Sequence, residues 1–267
     1  KTSHTAIMAR SLELPAVLGL KDIVNSVQNG QFMVVDGNAG EVLIDPDPQI
    51  VERYHTKQLA YRQELSELMK LKEQPAQTAD GYRMELSANI GNPEDTASAL
   101  KYGAEGVGLF RTEFLFMDTD QMPSEEAQFE AYRRAVSAMG DRPVIIRTLD
   151  IGGDKKLPYL KMDDEMNPFL GLRAIRLCLR EPDLFKTQLR AILRASAFGN
   201  VLVMFPMIAN VGELRQAKAL LETCKEELVV EGVRFDPQIR AGVMVEIPSA
   251  ALSADVLAKE ADFFSIG

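Results

Sequence analysis

Pro143-Val144-Ile145-Ile146-Arg147-Thr148-Leu149-Asp150-Ile151-Gly152-Gly153-Asp154-Lys155 starts as an almost unbroken apolar run and ends in charge and glycine. A strand that is apolar toward both faces suits a parallel sheet covered on each side. The design recurs along the chain. Strands are expected at Met84–Ile90, Gly106–Phe110, Pro143–Leu149, Val201–Met207, Ala241–Ile247 and Phe263–Gly267. Between them lie helical patterns at Pro93–Tyr102, Ser124–Met139, Pro168–Arg180, Pro182–Phe198, Val211–Val230 and Ser249–Lys259. Doubly wound and barrel folds both fit this α/β rhythm. No G-x-G-x-x-G follows the first strand and no P-loop occurs, which favours the barrel. A (β/α)8 TIM-type barrel takes about 250 residues. Residues 76–267 supply about six of its strands, so two βα units are expected to be missing.

Barrel enzymes carry their reacting groups at the carboxyl ends of strands. Reading those ends gives Asn89, Arg111, Arg147 and Glu246, polar residues on four separate apolar strands. Two arginines and a glutamate at equivalent ends are hard to explain as solvated caps. Arginine offers a planar fork matched to carboxylate or phosphate oxygens. Glutamate is a hard oxygen ligand of the kind Mg2+ takes. Gly152-Gly153 would let backbone approach a ligand, with Lys155 as a supporting charge, although for two glycines taken alone a tight turn is the favoured reading.

Upstream of residue 76 the pattern differs. Residues 1–48 read as a small α/β unit: a short strand at Ala16-Val17-Leu18, then Phe32–Val35 and Glu41–Ile44 flanking a hairpin turn rich in Gly and Asn. Residues 49–75 follow, and 49–74 read as one long amphipathic linker helix of roughly 35–40 Å. His55 on that helix reads as a solvated residue. His4 is different in its setting: Thr2, Ser3 and Thr5 are capping residues, and Ala6-Ile7-Met8-Ala9 is helix material. A histidine at a positive helix end is held neutral and can accept a phosphoryl group. A lone histidine is nonetheless more often an exposed or capping residue.

A net charge of -9 and a pI near 5.0, with no basic patch, argue against nucleic acid as a partner. No apolar run reaches membrane-spanning length and no signal peptide is present. Cys178 and Cys224 have no metal-ligand spacing and read as reduced thiols of a cytoplasmic protein. The chain opens on Lys1 inside a motif, which suggests a piece of a longer protein.

Thr2-Ser3-His4-Thr5-Ala6-Ile7-Met8-Ala9-Arg10-Ser11-Leu12-Glu13-Leu14-Pro15-Ala16-Val17-Leu18-Gly19 resembles the phosphohistidine segment of the enzyme I family, the phosphoenolpyruvate-protein phosphotransferases of the bacterial sugar phosphotransferase system. The resemblance runs over the whole chain. It implies that 1–48 is the end of a swivelling phosphohistidine domain, 49–75 a linker helix, and 76–267 a truncated phosphoenolpyruvate-binding barrel. It implies transfer of a phosphoryl group from phosphoenolpyruvate to His4 and on to the phosphocarrier HPr. Gly106–Met117 and Val144–Lys155 are similar to the family's two substrate-binding arginine segments, giving Arg111 and Arg147, with Lys155 nearby. Asn167–Arg173 is similar to another block near the substrate, giving Arg173. Met244–Pro248 is similar to the block that supplies a magnesium ligand, giving Glu246. A homodimer through the barrel domain is implied for the full-length protein, and an isolated fragment is expected to be inactive. Pyruvate phosphate dikinase and phosphoenolpyruvate synthase share the broader histidine pattern, so an enzyme of that type is the alternative, as is a fragment retaining the sites without turnover.

Overall fold

The computed structural model describes Ala9 and residues 14–117, 119–152, 157, 159–160, 165–167 and 170–267. His4 and Lys155 lie outside the described residues. The chain forms two compact units, Lys1–Gln74 and Pro75–Gly267.

In the first unit α1 (Ile23–Ser26) precedes an antiparallel hairpin of β1 (Met33–Asp36) and β2 (Glu41–Ile44). Asp36 closes the turn: its Oδ1 accepts the Asn38 and Ala39 N–H groups at 3.0 and 2.9 Å, an Asx turn. Ala16–Leu18, expected as a strand, is irregular. Its backbone lies against the turn itself, since a Cβ on Gly37 would sit 3.3 Å from both Ala16 N and O. The long helix is α2 (Pro48–Lys70), which tightens into a 3-10 turn at Leu71–Glu73. Asp47 caps it by accepting the Ile50 N–H at 2.9 Å, and Pro48 occupies the first turn, where a missing N–H costs nothing. No side chain of α2 is buried, and His55 is exposed. Tyr54 donates its hydroxyl to Glu41 at 2.6 Å and Lys57 pairs with Asp36, so the helix is tied to the hairpin near its start.

The second unit holds β3 (Ser87–Ile90), β4 (Gly106–Arg111), β5 (Val144–Arg147), β6 (Val201–Phe205), β7 (Arg240–Val245) and β8 (Phe264–Ile266). All pairings are parallel and the order is β3-β4-β5-β6-β7-β8. Strict chain order leaves no point at which the winding reverses, which distinguishes it from a doubly wound sheet. The sheet is the curled wall of a partial TIM-type barrel. Its helices are α3 (Asp95–Lys101), α4 (Phe114–Met117), α5 (Glu125–Met139), α6 (Ala174–Arg180), α7 (Pro182–Ser196), α8 (Val211–Val230), α9 (Pro248–Leu252) and α10 (Ala254–Leu257). One helix was expected over Ser249–Lys259. It is broken at Ser253, whose hydroxyl donates to Ser249 O at 2.7 Å and competes with the helical ladder.

Helices α5 and α7 pack side by side over the sheet, and Tyr132, Phe110, Phe185 and Phe205 are fully buried beneath them. Outside, Arg190 and Arg194 of α7 bridge Glu125, Glu126, Glu227 and Glu231 of the flanking helices. Cys178 and Cys224 are free and buried, and burial pushes the Cys224 thiol up to about 12. Neither is poised to react. Among the described residues no helix is long and apolar enough to cross a membrane.

Candidate active site

The last rung of the β4–β5 ladder pairs Arg111 with Arg147. Both chains leave the sheet after it, and Thr112 secures the exit by donating its hydroxyl to the Arg147 carbonyl at 3.0 Å. Arg147 is only 7% exposed, and a charge so buried needs partners. Its Nη2 donates to Glu113 at 2.8 Å, and its Nη1 lies 3.2 Å from Asp150 and 3.7 Å from the Met244 sulfur. Its Nε is buried and has no hydrogen-bond partner among the described residues. Arg111 differs: its side chain is exposed, and no ion pair or hydrogen bond engages it among the described residues.

Asp150 serves two arginines, accepting from Arg173 Nη2 at 2.8 Å through its other oxygen. Arg173 precedes α6 in extended conformation and reaches this point because Gly152 lacks a side chain. A Cβ on Gly152 would fall 2.3 Å from Arg173 Cβ, and its φ of +127° is one that other residues rarely adopt. The glycine therefore permits approach of the Arg173 backbone. Ala174 N–H completes the contact by donating to Ile151 O at 2.9 Å.

Glu246 follows β7 at the same end of the sheet. One oxygen accepts the Met207 N–H at 2.8 Å, holding Met207 at a φ of +58°. Burial pushes the Glu246 carboxyl above its ordinary value; Asp150 adds to the rise, while Arg147 and Arg173 oppose it. No ion pair to Glu246 occurs among the described residues. A half-buried carboxylate with a free oxygen and no cation suits a hard divalent ion. Among the described residues no three His, Cys, Asp or Glu side chains are placed to share a metal, so Glu246 would be one ligand among others from substrate or water.

Arg147, Arg173 and Glu246 are thus neighbours, with Arg111 beside Arg147 in register. Asn89 stands one strand further out, exposed on β3 and paired with Leu109. Sequence reading missed Glu113, Asp150, Thr112 and Gln188. The signal for the first two was present: each carboxylate lies two or three residues after one of the strand-end arginines, where a short turn folds it back. Among the described residues Arg111, Arg147 and Arg173 stand against Glu113, Asp150 and Glu246, so the formal charges of the cluster balance.

The family model for the PEP-binding domain of PEP-utilising enzymes matches residues 65–267, and that for their mobile domain matches residues 1–40. The chain is 55% identical over 267 residues to proteins of Bacillus sp. (strain S) and Geobacillus stearothermophilus named phosphoenolpyruvate-protein phosphotransferase, covering all of this chain and 46% of each relative. A protein of that name from Staphylococcus carnosus is likewise 55% identical, with 47% of it covered. The chain spans about half the length of the curated relatives it matches.

Proposed function

The chain belongs to the PEP-utilising enzymes, and on that premise we propose that it binds phosphoenolpyruvate at the ends of β4, β5 and β7 and passes the phosphoryl group to His4. One observation carries the reading: among the described residues the buried Nε–H of Arg147 has no partner, and the exposed Arg111 beside it has none either. A buried donor left without an acceptor costs on the order of 1–3 kcal/mol, which an anionic oxygen would offset. Phosphoenolpyruvate brings two oxyanions to two arginine forks.

Charge decides what else is required. A neutral cluster does not attract a multiply charged anion, and the charge of Arg147 is already countered by Glu113 and by a share of Asp150. A divalent cation such as Mg2+, held in part by Glu246, would supply the missing positive charge on the phosphate oxygens. Lys155, outside the described residues, would add one more. Arg111 and Arg147 orient the substrate, and Arg173 keeps Asp150 from drawing Arg147 away. His4 attacks phosphorus in line: the N–P bond forms as the bond to the enol oxygen breaks, and the enolate then takes a proton to give pyruvate.

The relatives' name speaks of transfer to a protein, which supports this reading over the dikinase or synthase alternative. In this reading residues 1–48 are part of a swivelling phosphohistidine domain, α2 is the linker, and HPr takes the phosphoryl group from His4. A cytoplasmic homodimer formed through the second unit belongs to the same reading. The test is incubation of the full-length protein with phosphoenolpyruvate and Mg2+, followed by mass spectrometry. Acid-labile phosphate on His4 is expected, and label surviving in His4→Ala would overturn the assignment.

A further inference from the structure

We propose that Gln188, on the buried face of α7, is a positioning residue that clasps the two arginine-bearing strands beyond the last rung of their ladder. The inference rests on the reading that Arg111 and Arg147 hold substrate oxyanions. Gln188 is fully buried among Leu184, Phe185, Leu189 and Ile192, where leucine or methionine would fill the same space without a polar group to satisfy. Instead its amide is used on both sides. Oε1 accepts the Leu149 N–H at 2.8 Å, and Nε2 donates to Thr112 Oγ1 and Tyr132 Oη, each at 3.1 Å.

The proton directions close without conflict. Thr112 donates its hydroxyl to the Arg147 carbonyl, so its oxygen is free to accept from Gln188. Tyr132 donates to Gln128 Oε1 at 3.3 Å, and Gln128 donates onward to Pro123 O at 3.0 Å. Turning the Gln188 amide over would set two donors against each other at Leu149, so the network fixes its orientation. The location gives the clasp its meaning. Thr112 directly follows Arg111, and Leu149 lies two residues after Arg147. The Thr148 N–H faces β6, donating to Met204 O at 2.9 Å, so past the arginine rung the described residues join β4 to β5 through side chains, Thr112 and Glu113 on Arg147. Gln188 adds a further tie from behind, and with it holds the spacing of the two strand ends that carry the arginines. Displacement of about 1 Å at such a site can change reactivity by about 100-fold.

The experiment compares Gln188→Met and Thr112→Val with wild type in the protein's full-length chain, following phosphoenolpyruvate-dependent phosphorylation at steady state. A misplaced arginine pair should raise KM for phosphoenolpyruvate by about 10-fold while kcat stays within about 3-fold. A purely structural role would lower the amount of folded enzyme, so kcat would fall with KM unchanged, and that result overturns the inference. Gln188→Glu should recover part of the KM, because a buried carboxyl stays protonated and keeps the acceptor and one donor. Thermal melting by circular dichroism reports folding, and Thr112→Val carries the test if Gln188→Met does not fold. Wild type without any saturable response to phosphoenolpyruvate would overturn the substrate reading itself. Saturable wild type with unchanged KM in the variants would overturn only the clasp.

Discussion

Arg111 and Arg147 are direct partners on adjacent parallel strands, yet one is exposed and unengaged among the described residues while the other is buried against two carboxylates. The difference separates what each substitution should do. Replacing Arg147 by Ala leaves Glu113 buried without its cation while Asp150 keeps only Arg173, a loss of about 3–5 kcal/mol for a broken buried pair. Replacing Arg111 by Ala should change stability by no more than about 0.5 kcal/mol. Both should slow phosphorylation, and Arg111→Lys should slow it too, because a point charge cannot reproduce the bidentate fork. Urea unfolding alongside kinetics checks this. Equal stability loss in both alanine variants would contradict the contrast.

Gly152→Ala is the sharpest probe of the Asp150–Arg173 connection. The added methyl would meet the Arg173 backbone at 2.7 Å, and backbone cannot step aside as a flexible side-chain tip can. The φ of +127° adds strain of about 1–3 kcal/mol. We expect lower thermal stability together with weaker phosphoenolpyruvate binding, since Arg173 would be pushed off Asp150 and Asp150 would then pull on Arg147. Binding measured by calorimetry at wild-type level in a folded variant would show that Arg173 has no hold on the site.

How much of this was legible from sequence varies residue by residue. The six strands announced themselves because both faces of each are covered, so apolar runs needed no periodicity to be seen. Arg111, Arg147 and Glu246 stood out as the first charges after such runs. Glu113 and Asp150 follow the same arginines but read as ordinary loop charges until the turn folds them back. Gln188 was hidden for another reason: a glutamine on an amphipathic helix reads as surface, and only packing against α5 puts it inside. Gly152 reads as a turn or as room for a ligand, and the sequence does not reveal that its missing Cβ also makes room for Arg173. Ala16–Leu18 had strand composition but lies against a turn, where no ladder is offered.

The ties between α2 and its hairpin give a pH signature. Asp36 is held below its ordinary value of 3.8, first by Lys57 and then by the Ala39 and Asn38 amides. A lowered folded pKa means the associated stability is present above 3.8 and is lost as pH falls through the folded value. Asp36→Asn should therefore flatten the acid limb of the first unit's stability. Amide exchange of β1 and β2 at several pH values measures it, and an unchanged acid limb would remove Asp36 from the account.

Glu246→Gln separates metal binding from folding. Glutamine keeps an oxygen to accept the Met207 N–H, so the strained Met207 backbone stays supported. What it removes is the charge. Burial raises the Glu246 carboxyl above 4.5, so the folded protein binds the proton more tightly than the unfolded chain. Without metal, stability contributed by this group is complete below 4.5 and is lost as pH rises through the folded pKa. At neutral pH the metal-free Gln variant should then be at least as stable as wild type, with the gap between them opening as pH rises across that window. Mg2+ together with phosphoenolpyruvate should reverse the order, because a bound divalent ion stabilises only the protein that carries the carboxylate. Differential scanning calorimetry of the full-length protein, with and without both additions, gives both halves of the comparison. If Mg2+ stabilises the Gln variant as strongly as wild type, the ion is held elsewhere. Glu246 would then be only the acceptor that pins Met207.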